Sequence, residues 1–366
     1  MPASRGTIRV WVAAGLLASL CLWGIEKLAI QNEHALTLNP HEATEVTLGH
    51  PHLLWGLPPG ETEVNGQRVR INAHGMRGPE VETPKATATR RILSLGGSIA
   101  FGEGVARRDT YTADAVRDLG GERVGLEALI MAVPQYTALQ TRNLMDMRGW
   151  SLDPDLILIA GPGAELDVSA YEDEVVTSVY RGLTDTHREM ESVAIFRILD
   201  HWVRVKNGPK TQARDRVFGQ QQGINPDQRP RLGTNAYARH LDAIVQAARE
   251  QEVEIVFIIA PLPTDLDETQ AATTPALYRD AMHHVASRHG VKVVDGPAVF
   301  RASARSKAAL FQDDGKLSVQ GHRTLSYALS RTLKPWMRGR PLKAKATGEP
   351  LAQLTEPGDA PSGDAP

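Results

Sequence analysis

The stretch Arg91–Val105, RILSLGGSIAFGEGV, decides how the rest of the chain is read. A short apolar run enters the glycine pair Gly96-Gly97, meets Ser98, and passes Gly102 and Gly104 before an amphipathic segment, TYTADAVRDL. That pattern is a strand-to-helix turn, and three chemistries use one. A phosphate-binding P-loop needs a lysine followed by serine or threonine after its glycines, and none stands here. A dinucleotide-binding turn needs G-x-G-x-x-G, but Arg107 occupies the third glycine position. The remaining readings are a serine hydroxyl at the end of a strand, with its own N–H turned toward an oxyanion, or a residue kept only for a tight turn.

Outward from this turn the texture is regular. RRILSL, GLEALIMA, PDLILIAG, VEIVFIIAP and VKVVDG are continuous apolar runs of strand length. Between them lie TYTADAVRDL, YTALQTRNLMDM, YARHLDAIVQAAREQE and TPALYRDAMHHVASRHG, with GHRTLSYALSRTL closing the series, all of helical pattern. Strands buried along their whole length and alternating with helices predict a central parallel sheet covered on both faces, a three-layer α/β/α sandwich. In such a sheet the chemistry lies at the carboxyl ends of the strands, where Ser98 falls.

The 366 residues are 42% hydrophobic and carry a net charge of -2, so there is a core for one large domain and no basic field to attract nucleic acid. Cys21 is the one cysteine, which excludes an intramolecular disulfide and a cysteine-rich metal site. It lies in an uncharged run from Val10 to Ile25, preceded by Arg5 and Arg9 and prolonged by Leu28, Ala29 and Ile30. The basic flank predicts an N-terminus in the cytoplasm and an exported remainder, held at the membrane by residues 1–30 as a transmembrane signal anchor. A cleaved signal peptide is the competing reading; the lack of a small-x-small cleavage site favours the anchor. Residues 31–88, rich in Pro, Gly, His and Asn, read as a loop-rich extension, and residues 89–336 as the main domain. A polar, charged stretch over about 170–235 reads as an insertion able to cap the site, and residues 337–366 as a disordered tail.

With these pieces in order, the chain resembles the SGNH, or GDSL-like, hydrolases. LGGSIAFGEGV is similar to that family's first block, and INAHGMRGPE (Ile71–Glu80) to the Asn-x-x-Gly-x-Arg-Gly segment that precedes it in exported members. AVPQYTALQ resembles the second block, PDLILIAGPGAE the third and LFQDDGKLSVQGHRTLSYAL the fifth. The resemblance implies a flavodoxin-like sandwich and acyl-ester hydrolysis through an acyl-serine, without metal or other cofactor. It implies Ser98 as nucleophile, oxyanion donors from Ser98, Gln135 and Ala164, Lys316 at the position of the triad histidine and Asp313 at that of the triad aspartate. An acylated carbohydrate or lipid is the implied ligand.

Several of those positions have changed. Gly97 replaces the aspartate before the serine, and Gln135 replaces a glycine whose N–H serves the oxyanion. Ala164, followed by Glu165, replaces an oxyanion asparagine; no asparagine lies between Asn143 and Asn207. Lys316 replaces the base. His322, three residues after Val319, matches a second family histidine that is not the base and reads as a helix-start residue. Two routes to activity stay open on sequence: a Lys316 whose pKa is lowered by burial, or a histidine from elsewhere, among His201, His283 and His284. The competing class is an SGNH-fold binding or scaffold protein at the cell envelope, with Ser98 a turn residue.

Overall fold

The computed structural model describes residues 19, 21–28, 47–50, 52–64, 67–169, 172–178, 195, 229–267 and 273–339. In chain order the strands are β1 (Thr47–His50), β2 (Leu54–Gly56), β3 (Gly60–Val64), β4 (Gln67–Ile71), β5 (Arg90–Gly96), β6 (Leu126–Ile130), β7 (Leu156–Gly161), β8 (Val168–Ser169), β9 (Arg229–Pro230), β10 (Glu254–Ile259) and β11 (Lys292–Asp295). The helices are α1 (Ser98–Phe101), α2 (Tyr111–Asp118), α3 (Ala138–Leu144), α4 (Thr234–Glu250), α5 (Thr273–His289), α6 (Gly296–Ala302), α7 (Lys307–Leu310) and α8 (Val319–Gly339).

Five strands form one parallel sheet in the order β11-β10-β7-β5-β6. The order reverses between β5 and β7, so the crevice that ligands enter in open α/β sheets opens at the carboxyl ends of these two strands. Ser98 begins α1 directly after β5.

Successive strand residues point to opposite faces, and each face buries its own core. Leu93, Leu95, Ile157, Ile159, Phe257 and Ile259 pack against α3, α4 and α5. Ile92, Leu156, Leu158, Val256, Ile258 and Val294 pack against α2, α6 and α8. The five apolar runs are thus legible as strands because both sides of each are buried, and the central parallel sheet flanked by helices is as the sequence predicts.

The segment before β5 contributes to the first of these cores. Leu53, Trp55, Val69, Ile71 and Met76 are buried in it. The hairpin β3-β4 continues into Asn72–Gly78, whose Arg77 N–H donates to Ile130 O at 3.0 Å, so the chain runs antiparallel to the edge strand β6.

The second face closes with a helix longer than its pattern suggested. α8 continues through Pro335 to Gly339, past residue 337, where the tail was expected to begin. Arg90 lies over the Trp336 ring near its end. Among the described residues no helix is long and apolar enough to cross a membrane. Residues 21–28 are helical, with Leu22, Trp23, Ile25 and Leu28 exposed, while most of the expected span and most of the expected insertion lie outside the described residues.

Leu158 sits mid-strand in β7, fully buried. Leu158→Ala is expected to cost about 2–5 kcal/mol, read as a lower urea midpoint with an unchanged denaturant slope.

Candidate active site

The serine turn is built by glycines and held by an arginine. α1 is one turn long and ends at Gly102, in the left-handed conformation with φ 78°. A Cβ there would lie 2.3 Å from the Thr110 methyl, so only glycine fits. Three carbonyls of the short helix and the following turn converge on one side chain, and one of them, Gly102 O, also accepts from Val105 N–H at 3.3 Å. Arg77 donates from Nη1 to Phe101 O (2.8 Å) and Gly102 O (2.7 Å), and from Nη2 to Val105 O (2.6 Å). Arg77 is 4% exposed, and its guanidinium lies over the Phe101 ring. Burial, aided by the charge of Arg107, lowers its pKa to about 10. Asn72 holds the approach to Arg77: its Oδ1 accepts from the N–H groups of His74 and Met76, and its Nδ2 donates to Pro79 O. The Asn-x-x-Gly-x-Arg pattern is therefore a turn that delivers a guanidinium to the serine loop.

Ser98 Oγ accepts a long hydrogen bond, 3.4 Å, from the backbone N–H of Gln135. Gln135 has φ 65°, a left-handed conformation that costs a residue other than glycine about 1–2 kcal/mol. The backbone thus keeps a path that suits glycine although glutamine stands there. Gly97 explains how the two departures fit together. A Cβ at residue 97 would lie 3.0 Å from Tyr136 O, so the loop around Gln135 closes onto the space an aspartate side chain would need.

The other expected residues are elsewhere engaged. Ala164 is buried in a single 3-10 turn, Ala164–Leu166, just after β7, and its methyl offers no donor. Its neighbour Glu165 turns inward and accepts from Ala138 N–H (2.7 Å) and Gly163 N–H (2.6 Å), stitching the end of β7 to the start of α3. Burial pushes the Glu165 carboxyl up, against those two bonds and the charge of Arg231.

Asp313-Asp314-Gly315-Lys316 is a tight turn between Phe311 and Leu317, closed by Gln312 N–H to Lys316 O at 2.7 Å. Asp313 points to solvent and does not orient Lys316; Asp314 does, at 2.7 Å from Nζ. The ammonium also lies 3.3 Å from the buried carboxylate of Glu103, the residue after Gly102. Burial pulls the Lys316 pKa down, but the bonds and charges of Asp314 and Glu103 outweigh it and leave the group above its ordinary value. Of the two routes left open on sequence, this geometry argues against Lys316 as a base, because neighbouring carboxylates favour its charged form. The other Glu103 oxygen, Oε2, is buried with no hydrogen-bond partner.

No imidazole takes the lysine's place among the described residues. His322 is buried, accepts from Tyr111 N–H at Nδ1 (3.3 Å) and stacks on the Tyr111 ring. It caps the start of α2 from the start of α8. Burial, with the nearby charge of Arg77, lowers its pKa to about 3, so it stays neutral. His283 and His284 are exposed on α5, His283 lying 3.9 Å from the Asp295 carboxylate, and His201 lies outside the described residues. Nor do the described residues offer a group of three or more His, Cys, Asp and Glu side chains disposed to hold a metal ion.

Three residues the sequence did not single out converge on the Gln135 loop. Trp55 Nε1–H donates to Pro134 O at 3.3 Å, and Tyr136 OH donates to Trp55 O. Arg231 Nη1 donates to Gln135 O at 2.9 Å while its Nε and Nη2 pair with both oxygens of Asp173 (3.2 and 2.9 Å). These are contacts to main-chain carbonyls, which leave no spacing to recognise. The only signal was a tryptophan in the polar extension and an Asp and an Arg within a stretch read as insertion.

No family model matches the chain, and no curated protein matches its sequence. Among solved structures it is similar to LAE5, an α/β hydrolase enzyme from the metagenome of Lake Arreo, at 16% identity over 66% of this chain and 94% of that one, TM-score 0.43. It is also similar to Axe2, an acetylxylan esterase of Geobacillus stearothermophilus, at 16% identity over 70% and 100%, TM-score 0.44. A protein of the G-D-S-L family from Desulfitobacterium hafniense is similar at 14% identity over 67% and 100%, TM-score 0.42. The chain's own fold is a five-stranded parallel sheet with the serine turn at its switch point.

Arg77→Met leaves the carbonyls of Phe101 and Val105 without their donor and takes one of two from Gly102, and is expected to cost about 3 kcal/mol in urea unfolding. The neutral His322 makes stability pH-dependent. The unfolded chain binds a proton below its imidazole pKa of about 6.5, which the folded chain refuses until about 3, so stability falls as the pH drops through that window. The loss between pH 7 and pH 4 is roughly 3 kcal/mol, and His322→Asn is expected to flatten that limb in urea titrations across the range.

Proposed function

We propose that this chain is an SGNH-type acyl-ester protein whose site keeps the serine and one oxyanion donor but has lost its base, so that ester hydrolysis at Ser98 is slow. The observation that carries the reading is the Gln135 N–H directed at the Ser98 hydroxyl from a left-handed backbone that favours glycine. A loop kept in an unfavourable conformation needs a reason, and an oxyanion donor is one. The order of the sequence blocks supports the same reading.

In the reaction the Ser98 oxygen bonds to the acyl carbon, the alcohol leaves, and water later releases the acid. The serine proton needs an acceptor. Lys316, already protonated and paired with Asp314 and Glu103, cannot take it, so the proton is relayed through solvent to the departing oxygen, which leaves as the alcohol. Removal of a triad member leaves only the thousand- to ten-thousand-fold acceleration that binding and the oxyanion hole supply, roughly. The absent asparagine at Ala164 lowers this further, by a factor on the order of a hundred.

The ligand class we propose is an O-acylated carbohydrate or lipid outside the cytoplasm, with the N-terminal segment as the membrane anchor; the basic flank and apolar run of residues 1–30 support this. The held Lys316 cation favours one second reading, a binding protein for such a ligand without turnover.

Treatment of the full chain with a fluorophosphonate separates the two. Slow labelling of Ser98 and slow hydrolysis of an aryl acetate, both abolished in Ser98→Ala, are expected; a completely silent wild type leaves the binding role. Lys316→His is expected to raise aryl-acetate turnover at least tenfold, and no gain would show that the block-five turn no longer reaches the serine.

A further inference from the structure

Gln135 is the third residue of the turn Val133–Tyr136, which Tyr136 N–H closes on Val133 O at 3.2 Å, and the two peptide planes that flank it are each held from outside. The plane before it contains Pro134 C=O and Gln135 N–H on opposite edges, so the hydrogen bond from Trp55 Nε1 to that carbonyl aims the N–H at Ser98 Oγ. The plane after it carries Gln135 C=O, which Arg231 Nη1 holds at 2.9 Å. Fixing both planes fixes φ and ψ of the residue between them. Arg231 is in turn immobilised: it is 3% exposed, its fork pairs with both oxygens of the fully buried Asp173, and its guanidinium lies over the Trp55 ring at 5.1 Å. Asp173 is tied further by Thr137 Oγ1–H at 3.0 Å, on the same loop as Gln135.

We propose that Arg231 is a positioning residue, which together with Trp55 holds Gln135 in the left-handed conformation and so aims the oxyanion donor at Ser98. A glycine adopts that conformation without assistance, whereas a glutamine does not. The clamp is therefore the counterpart of the glutamine: where a glycine would turn freely, this chain holds the turn from outside. Arg231 and Asp173 lie in the two described segments that flank residues 179–228, joined by β8-β9, by Asp173 N–H to Arg231 O and by Arg231 N–H to Asp167 O. The base of the insertion is thereby fastened to the oxyanion loop.

For its catalytic readout this inference rests on the acyl-ester reading of Ser98; the clamp itself is read separately. In the full chain, Arg231→Met is expected to slow fluorophosphonate labelling of Ser98 at least tenfold, Arg231→Lys to recover part of the rate, and Arg231→Met with Gln135→Gly to recover most of it. Rescue by glycine is the decisive arm, because a general loosening of the fold would not be repaired by it. Labelling of Arg231→Met at the wild-type rate, or a double variant as slow as the single one, overturns the proposal. Amide hydrogen exchange over residues 133–137 reads the clamp without chemistry: Arg231→Met is expected to speed it at least tenfold, and unchanged exchange also overturns the proposal. A wild type that takes up no label, with exchange accelerated in Arg231→Met, retains the clamp and refutes the acyl-ester reading instead. Should Arg231→Met not fold, Trp55→Phe removes only the donor to Pro134 O. It is expected to slow labelling and speed exchange in the same way, with Gln135→Gly again restoring the rate; wild-type labelling and exchange in Trp55→Phe would overturn the clamp.

Discussion

The buried guanidinium of Arg77 is the joint on which the serine turn depends. A one-turn helix cannot satisfy its own carbonyls, and a turn with glycines at 102 and 104 has little side-chain packing of its own. Arg77 supplies donors to Phe101, Gly102 and Val105 together, in a fork whose planar geometry matches their arrangement. Its charge then reaches further. By disfavouring a proton on His322 it helps keep that ring neutral, as an acceptor for the first N–H of α2. One cation thus sets the loop before α2 and the electrostatics at its start.

The altered positions make sense as linked changes. With Gly97 in place of a side chain, the Gln135 loop can approach the strand end. With a glutamine in that loop, Trp55 and Arg231 carry the geometry that glycine would adopt alone. In the block-five turn a lysine takes the place of a base and finds two carboxylates, Asp314 and Glu103. The turn and the serine loop, which an imidazole would join to the serine through a catalytic hydrogen bond, are joined here by an ion pair.

The sheet was legible because burial on both faces leaves continuous apolar runs, and Ser98 because a glycine-rich turn after such a run has few alternatives. The short helices α6 and α7 were not read, since one or two turns give no periodicity to detect. Glu165 stood next to an expected position but showed no sign that it would cap α3. Trp55, Asp173 and Arg231 were hidden for a more general reason. Trp55 and Arg231 act on main-chain carbonyls far along the chain, and a carbonyl is the same at every residue, so nothing in the partner's sequence marks the contact; Asp173 acts only through Arg231 and Thr137. The fate of Lys316 depended on Glu103 reaching it from a distant turn, a fact of folding rather than of local composition.

The pairing of Arg77 with Ile130 bears on where the domain begins. β6 is the outermost strand on its side of the sheet, and an uncovered edge strand is a template for joining other chains. Arg77 bridges that edge at Ile130, so the segment around it blocks intermolecular strand addition at that end of β6. A fragment cut at the start of the regular α/β pattern, near residue 89, would keep every strand and helix of the sandwich. It would nonetheless present a bare edge, and it would also lack Arg77 in the serine turn and the side chains of Trp55, Val69, Ile71 and Met76 in the first core, so solubility and packing would fail together.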